Sequence, residues 1–197
     1  MSKLVAPDNV IGVDQDSIPI DPSFVATVLK PYMETTTYLK SAEILSHKKT
    51  AVSKDNSENL LVAKGEFTIP NSCYIDDTGH FNAVEFNICF NQLSYVMFAY
   101  AFKNRLMHSM FQQWDDTGLS FETFMNNQLS SMLIVKIEGK FMNAIDSDQF
   151  WGELILREVT PRSKVTFFYT DIFFYDKNGG RSKGSVVLAY NPNFNHE

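Results

Sequence analysis

The sequence predicts one α+β domain in which an antiparallel sheet curls around a single long central helix. The first observation behind this prediction is the order of elements, which is two strands, one long helix and then four strands. The second is that the helix, over residues 83–103, is apolar on nearly every side and should therefore be buried rather than amphipathic. The third is the length of 197 residues, which suits one domain with a sizeable core.

The first 20 residues are mixed in character and rich in Asp, and we expect them to form a loose N-terminal arm ahead of a domain over residues 21–197. A short helix should follow in "DPSFVATVLKPY". Asp21 is a suitable N-cap, Pro22 suits the first helical position, and Pro31 should end the helix.

The next two segments, "SAEILSHKKTAV" and "NLLVAKGEFTI", are typical of strands and are joined through the turn-rich "SKDNSEN". The second alternates with a period of two, which gives one buried and one wetter face. The buried positions are expected to be Leu61, Ala63, Phe67 and Ile69, and the wetter ones Val62, Lys64, Glu66 and Thr68.

After a turn at "TGHFN", residues 83–103 form the central helix, since they contain neither Gly nor Pro. Residues 104–128 should be irregular, with a short helix at "SFETFMNNQ". Four strands in a meander complete the chain, and Asn178-Gly179 is a strong hairpin signal between the last two. A curled antiparallel sheet wrapped around a long central helix is the hot-dog fold. Such a helix usually needs a second subunit to cover it, so we expect a homodimer.

Composition narrows the class of function. The net charge of −6 argues against a protein that tracks nucleic-acid phosphates. The four histidines are scattered and the two cysteines lack ligand spacing, so no metal or redox cofactor is expected. No apolar stretch reaches the about eighteen residues of a membrane span and no secretory signal is evident, which favours a cytoplasmic protein. The 17 phenylalanines indicate either a Phe-rich core or an aromatic-walled slot.

The central helix carries polar residues on two faces. Asn87, Asn91 and Ser94 follow an i, i+4, i+7 spacing and share one face. Glu85 and Gln92, also seven residues apart, lie on roughly the opposite face. A buried amide must find partners, because leaving it unpaired costs about 1–3 kcal/mol. Either each amide ties down a neighbouring loop, or together they hold a reacting carbonyl group.

The start of this helix is suited to polarising a carbonyl group, such as that of a thioester. Gly79 permits a tight turn and Asn82 is a good N-cap. The first amides of a helix, with the positive end of its dipole behind them, polarise a carbonyl and stabilise the oxyanion that forms on attack. Tyr74, His80 and Asn91 are candidates for further hydrogen bonds, although His80 taken alone would be an ordinary loop histidine.

These residues also carry a family resemblance. "DDTGHFN" resembles the Asp-x-x-Gly-His-x-Asn signature of many hot-dog acyl thioesterases. The longer run "FTIPNSCYIDDTGHFNAVEFNICFNQLSY", with "LKPY" before it and "NQLSSMLI" after it, is similar to the FcoT-like family from about residue 21 to residue 191. Members of that family are described as long-chain fatty-acyl-CoA thioesterases. In isonitrile lipopeptide pathways they are described as (2E)-enoyl-ACP glycyltransferases, where ACP is acyl carrier protein.

The resemblance implies a site without an obvious nucleophile, in which tyrosines and amides orient the substrate. The predicted catalytic residues are Tyr32, Tyr74, His80, Asn82 and Asn91, and the predicted substrate-binding residues are Gly79, Phe81 and Ser94. Asp76 falls where many hot-dog thioesterases carry a catalytic carboxylate, but a carboxylate is not a fixed part of the FcoT-like pattern. Asp76 is therefore either a candidate base or a surface turn residue.

The reaction implied by the resemblance is addition of glycine to the β-carbon of a (2E)-enoyl-ACP. Hydrolysis of the thioester would then release a 3-(carboxymethylamino) fatty acid for an isonitrile lipid. The alternative is a plain long-chain fatty-acyl-CoA or acyl-ACP thioesterase, and residue spacing does not separate the two. A non-catalytic hot-dog protein that binds acyl chains or carriers, and a hot-dog hydratase, are further alternatives. The expected partners are fatty acyl-ACP or acyl-CoA, glycine, acyl carrier protein and further copies of the chain, from a homodimer up to a hexamer.

Overall fold

The computed structural model describes residues 17–47, 60–75, 79–106 and 120–191. Within these ranges, seven strands form one antiparallel sheet, and three α-helices pack with it. The helices are α1 (Pro22–Leu29), α2 (Ala83–Lys103) and α3 (Phe121–Ser131). The strands are β1 (Ile18–Pro19), β2 (Leu39–His47), β3 (Leu61–Phe67), β4 (Met132–Asn143), β5 (Phe150–Pro161), β6 (Thr166–Tyr175) and β7 (Arg181–Tyr190).

The helices begin where their capping residues predict. The Asp21 carboxylate accepts hydrogen bonds from the backbone N–H groups of Ser23 at 2.7 Å and Phe24 at 3.4 Å, so α1 starts at the predicted position. Ser120 caps α3, which extends three residues beyond the predicted helix. The central helix α2 has the predicted bounds, and its first turn follows the N-cap Asn82.

The order of strands in the sheet is β1-β2-β3-β5-β6-β7-β4, and this corrects the prediction of a four-strand meander. Strands β5, β6 and β7 follow one another, but β4 pairs with β7 at the far edge. Strand β5 instead pairs with β3, where Gly65 lies opposite Gly152. A Cβ at Gly65 would lie 2.6 Å from Leu39, and one at Gly152 would lie 2.6 Å from Phe174. The two glycines therefore allow bulky neighbours to pack over the centre of the sheet.

The described end of the N-terminal arm is attached to the sheet. Ile18 lies opposite Ile44 in an antiparallel pair, and the backbone N–H of Ile20 donates to the carbonyl of Ala42 at 2.9 Å. The expectation of a loose arm is therefore wrong for these residues, because β2 offers an edge that they pair with. The boundary drawn at residue 20 stays a prediction.

The core lies between the sheet and α2. Five aromatic rings pack around the N-terminal part of α2 with centroid separations of 4.9–6.2 Å. They belong to Phe67, Phe81, Phe86, Phe150 and Phe174. Each of these side chains is at most 3% exposed. The phenylalanines at this end of the helix therefore form a packed core and not the walls of a slot.

The alternation predicted for β3 holds with one difference. Val62, expected on the wetter face, is only 1% exposed. It lies opposite Ser46 of β2 and Ile155 of β5 in the interior of the sheet, so neighbouring strands flank it on both sides. The turn predicted between β2 and β3 lies outside the described residues.

The β6–β7 hairpin confirms the turn predicted at Asn178-Gly179. Gly179 has a φ of +93°, a conformation that Gly adopts readily and other residues rarely do. The carboxylate of Asp176 accepts hydrogen bonds from the backbone N–H groups of Asp146 at 2.7 Å, Asn178 at 2.7 Å and Gly180 at 2.8 Å. Asp176 thus joins the hairpin to the loop between β4 and β5.

Within the described ranges, no helix has both the length and the apolar character needed to cross a membrane.

Candidate functional site

The N-terminus of α2 is held in place on both sides of its cap. The Oδ1 atom of Asn82 accepts a hydrogen bond from the backbone N–H of Val84 at 2.9 Å, and the N–H of Phe81 donates to the carbonyl of Ile145 at 3.1 Å. Gly79 supplies the turn with a φ of +70°. Among the described residues, the Nδ2 group of Asn82 has no hydrogen-bond partner, and this side chain is half-buried. Asn82 therefore caps the helix with one atom and keeps a donor for a ligand.

Tyr74 and His80 lie in the loop that leads into this cap, and both are exposed. The loop is nevertheless tied to the rest of the domain. The Ser72 hydroxyl donates to Oε1 of Glu85 at 2.8 Å, and the Tyr38 hydroxyl donates to the carbonyl of Asn71 at 3.4 Å. The segment that carries Tyr74 is therefore anchored to α2 through its first turn.

Tyr32 contacts α2 at Tyr95, ten residues after Glu85. Its ring centroid lies 6.4 Å from that of Tyr95, and its side chain is half-buried. Burial, followed by the electrostatic influence of Tyr95 and Cys89, raises the pKa of Tyr32 well above its usual value. The hydroxyl consequently stays protonated and can act as a hydrogen-bond donor throughout the neutral range. Burial also raises the pKa of the Cys89 thiol, which leaves it an inert part of the core.

The segment that follows Tyr32 is fastened by Gln92, whose side chain is fully buried. Its Oε1 atom accepts hydrogen bonds from the backbone N–H groups of Tyr38 at 3.0 Å and Leu39 at 2.9 Å. Its Nε2 group donates to the carbonyl of Thr36 at 2.6 Å. This amide ties down a loop, which is one of the two roles considered for buried amides of α2.

On the opposite polar face of α2, the side chains differ in their exposure and in their hydrogen bonds. Asn87 is exposed and Asn91 is half-buried. Ser94 is buried, and its hydroxyl donates to the carbonyl of Asn91 at 2.9 Å, within the helix itself. Among the described residues, the side-chain amide of Asn91 has no hydrogen-bond partner. Asn91 is therefore the member of this face whose amide can meet a ligand.

The predicted site residues thus fall into three positions. The loop and cap at the N-terminus of α2 contain Tyr74, Gly79, His80 and Asn82. The middle of the helix is contacted by Tyr32. The other polar face of the helix carries Asn91 and Ser94. Phe81 belongs to the aromatic core at 3% exposure. Asp76, the candidate base, lies outside the described residues. The role of each as a site residue stays a prediction.

Sequence reasoning did not place Glu85 or Gln92 among the site residues, and the structure shows both to be buried, at 2% and 0% exposure. Their i, i+7 spacing on an otherwise apolar helix was the available signal, since two polar groups on one buried face need defined partners.

A curled antiparallel sheet around a central helix, with polar groups at the start of that helix, is the architecture of the hot-dog class of acyl-thioester proteins. The model of the FcoT-like thioesterase domain matches residues 27–190. The chain therefore belongs to the FcoT-like thioesterase family. This confirms the predicted family, the α+β hot-dog fold and an enzyme that acts on acyl thioesters.

Three relatives of this chain bear the same name. A (2E)-enoyl-ACP glycyltransferase from Streptomyces coeruleorubidus is 34% identical over 175 residues, which cover 86% of this chain and 96% of that one. The protein of the same name from Mycobacterium bovis is 35% identical over 178 residues, or 88% of each chain. The one from Mycobacterium marinum is 37% identical over 135 residues, which cover 67% of this chain and 70% of that one.

Solved structures show more distant similarity. A mutant thioesterase PA1618 from Pseudomonas aeruginosa aligns with a TM-score of 0.46 and 7% identity over 87% of this chain and 94% of that chain. A dehydratase domain from the CurJ module of the curacin polyketide synthase aligns with a TM-score of 0.47 and 13% identity, over 90% of this chain and 52% of that chain.

Proposed function

We propose that this protein adds glycine to the β-carbon of a (2E)-enoyl-ACP and then releases a 3-(carboxymethylamino) fatty acid by hydrolysis of the thioester. The observation that carries the proposal is the shared name of the relatives, two of which are 34–35% identical over 86–88% of this chain. The product is a precursor for an isonitrile lipid, and we expect the reaction to take place in the cytoplasm, with acyl carrier protein as the carrier.

The arrangement at α2 suits both steps, because each develops negative charge on the same carbonyl oxygen. In the addition the charge is that of an enolate, and in hydrolysis it is that of a tetrahedral oxyanion. The N-terminal amides of α2 supply a positive dipole end, and the Nδ2 group of Asn82 supplies a hydrogen-bond donor that capping leaves unused. The protonated hydroxyl of Tyr32 is a further donor. Tyr74, His80 and Asn91 complete the proposed polar set.

A plain acyl-CoA or acyl-ACP thioesterase is the second candidate. The name of the matching domain, an FcoT-like thioesterase, favours it. The same groups would stabilise the oxyanion that forms when water attacks the thioester. The two candidates differ in whether the released acid carries glycine.

We further propose that the protein works as a homodimer or a larger homo-oligomer. Strand β4 is a 12-residue edge strand, and nearly all of its residues are exposed. Its exposed apolar side chains are Leu133, Val135, Ile137, Phe141 and Met142. A long edge strand with apolar residues on both faces pairs readily with another strand, and a second copy of β4 would satisfy it. Light scattering should give a mass of two chains or more for the protein, and the Ile137→Lys variant should shift it toward one.

The deciding experiment is intact-mass and product analysis of (2E)-enoyl-ACP incubated with the protein, with and without glycine. A glycine adduct, on the carrier or as the free acid, supports the proposal. Equal loss of the acyl chain without glycine supports the thioesterase. No change in either sample would contradict both candidates and favour a binding protein.

A further inference from the structure

Glu85 is a buried carboxylate in the first turn of α2, three residues after the cap Asn82. Its side chain is 2% exposed. One oxygen, Oε1, accepts a hydrogen bond from the Ser72 hydroxyl at 2.8 Å. The other, Oε2, is buried and has no hydrogen-bond partner among the described residues. Glu85 thus connects the two segments of the proposed site, the loop that carries Tyr74 and the helix start that carries Asn82.

An anchor for Ser72 does not by itself require a carboxylate. A neutral amide would accept the same hydrogen bond at a smaller cost, because a charged group is far more expensive to bury than a polar neutral one. Buried carboxylates are normally paired with a cation or with several donors, whereas Glu85 has, within the part of the chain that the structure describes, one hydroxyl partner and the dipole of the first helical turn. The second oxygen can therefore accept a hydrogen bond from a cationic ligand.

We propose that Oε2 of Glu85 binds the amine of the amino-acid substrate and accepts the proton that this amine loses before it attacks. The inference rests on the proposed glycine addition. An amino acid presents an ammonium group, which a carboxylate binds through a charge-assisted hydrogen bond. Glycine suits the site because it has no side chain that would have to fit beside the buried first turn of α2.

One carboxylate, that of Glu85, can make both proton transfers that the addition requires. The ammonium group of glycine gives a proton to Glu85, and the nitrogen lone pair then forms the new bond to the β-carbon. The electrons of the carbon–carbon double bond move to the α-carbon and the carbonyl oxygen as an enolate. The α-carbon then takes up a proton, which the protonated Glu85 can supply. The adduct leaves with its secondary amine protonated, so no external acid or base is consumed.

The test compares Glu85→Gln with the wild type in two reactions. The variant keeps an acceptor for Ser72 and similar volume, and it loses the charge and the base. We expect kcat/KM for glycine in the addition to fall by about 100-fold, while hydrolysis of a saturated acyl-ACP without glycine changes by no more than about twofold. A loss in both reactions, or in neither, contradicts the proposal.

Two further variants separate this role from a structural one. Ser72→Ala removes the anchor and keeps the carboxylate, so kcat/KM for glycine should fall much less than in Glu85→Gln. Glu122→Gln is the matched control, since Glu122 is an exposed first-turn glutamate at the start of α3. An equal loss of glycine selectivity in Ser72→Ala would show that the loop position, and not the carboxylate, is responsible.

The two proposals fail in different ways. If the wild type forms no glycine adduct from (2E)-enoyl-ACP, the proposed function fails. If the wild type forms the adduct and Glu85→Gln, with an unchanged melting temperature, forms it at the same glycine concentration and rate, only the role of Glu85 fails.

Discussion

Replacement of Gln92 by Met tests whether its side chain holds the segment between Tyr32 and β2. The change keeps the length of an unbranched side chain and a similar helix propensity, but it removes three hydrogen bonds to backbone groups of residues 36, 38 and 39. A net loss of about 1 kcal/mol for each bond gives about 3 kcal/mol, and groups that stay buried without partners would raise the total to about 5 kcal/mol. We therefore expect the free energy of unfolding to fall by about 3–5 kcal/mol.

Gln128 provides a matched control for this prediction. It is also a helical glutamine, 3% exposed, but with the described residues it makes one hydrogen bond, from Nε2 to the carbonyl of Val28 at 3.0 Å. Its Oε1 atom is buried without a partner among the described residues, so replacement by Met also removes an unsatisfied group. Gln128→Met should cost about 1 kcal/mol or less.

Urea unfolding at equilibrium measures both variants, with the m-value as a check that the unfolded states are comparable. The reasoning is refuted if Gln92→Met destabilises the protein no more than Gln128→Met does. Loss of activity in Gln92→Met at a temperature where it remains folded would show in addition that the segment after Tyr32 must be held for catalysis.

Three other predictions each concern the polar group of one side chain. Burial opposes the charge of Asp176, but three backbone N–H groups at 2.7–2.8 Å lower its pKa below the usual value. Its contribution to stability should therefore be present above about pH 4 and be lost as the pH falls through the lowered pKa, so the wild type and Asp176→Asn should converge in acid unfolding curves. Tyr190→Phe should raise the free energy of unfolding by about 1 kcal/mol in urea, because the Tyr190 hydroxyl is buried without a partner among the described residues. Asn82→Asp keeps the acceptor for the cap and removes the Nδ2 donor, so thermal stability should hold while thioester turnover, measured by thiol release, falls by about 100-fold.

The starts of the helices could be predicted because their signals are local. Asp21 and Ser120 bond to backbone groups within three residues of themselves, and Asn82 does the same for α2. A capping residue therefore acts in the same way whatever the rest of the chain does. The hairpin at Asn178-Gly179 is predictable for the same reason, since the turn needs a residue with positive φ.

The order of the strands could not be predicted, because it depends on contacts between distant residues. β5 pairs with β3 where Gly65 meets Gly152, and nothing near either glycine in the sequence indicates the other. A meander is the simplest connection of four consecutive strands, but the interior position beside β3 goes to β5. β4 is consequently left at the edge with its apolar side chains exposed, which is the surface proposed to meet a second copy.

The surroundings of α2 in the candidate site could not be predicted either, because they also depend on contacts between distant residues. Periodicity correctly separates α2 into a face with Glu85 and Gln92 and a face with Asn87 and Asn91, but it does not tell which face the loops cover. The structure shows the loops packed on the first face, where both side chains bond to them, while Asn91 keeps an amide without a partner among the described residues. The covered face can thus fix the geometry of the site and, through Oε2 of Glu85, present one charge to it. The less covered face keeps the Asn91 amide for a ligand or a second subunit, so an exchange of roles between Gln92 and Asn91 would be incompatible with this fold.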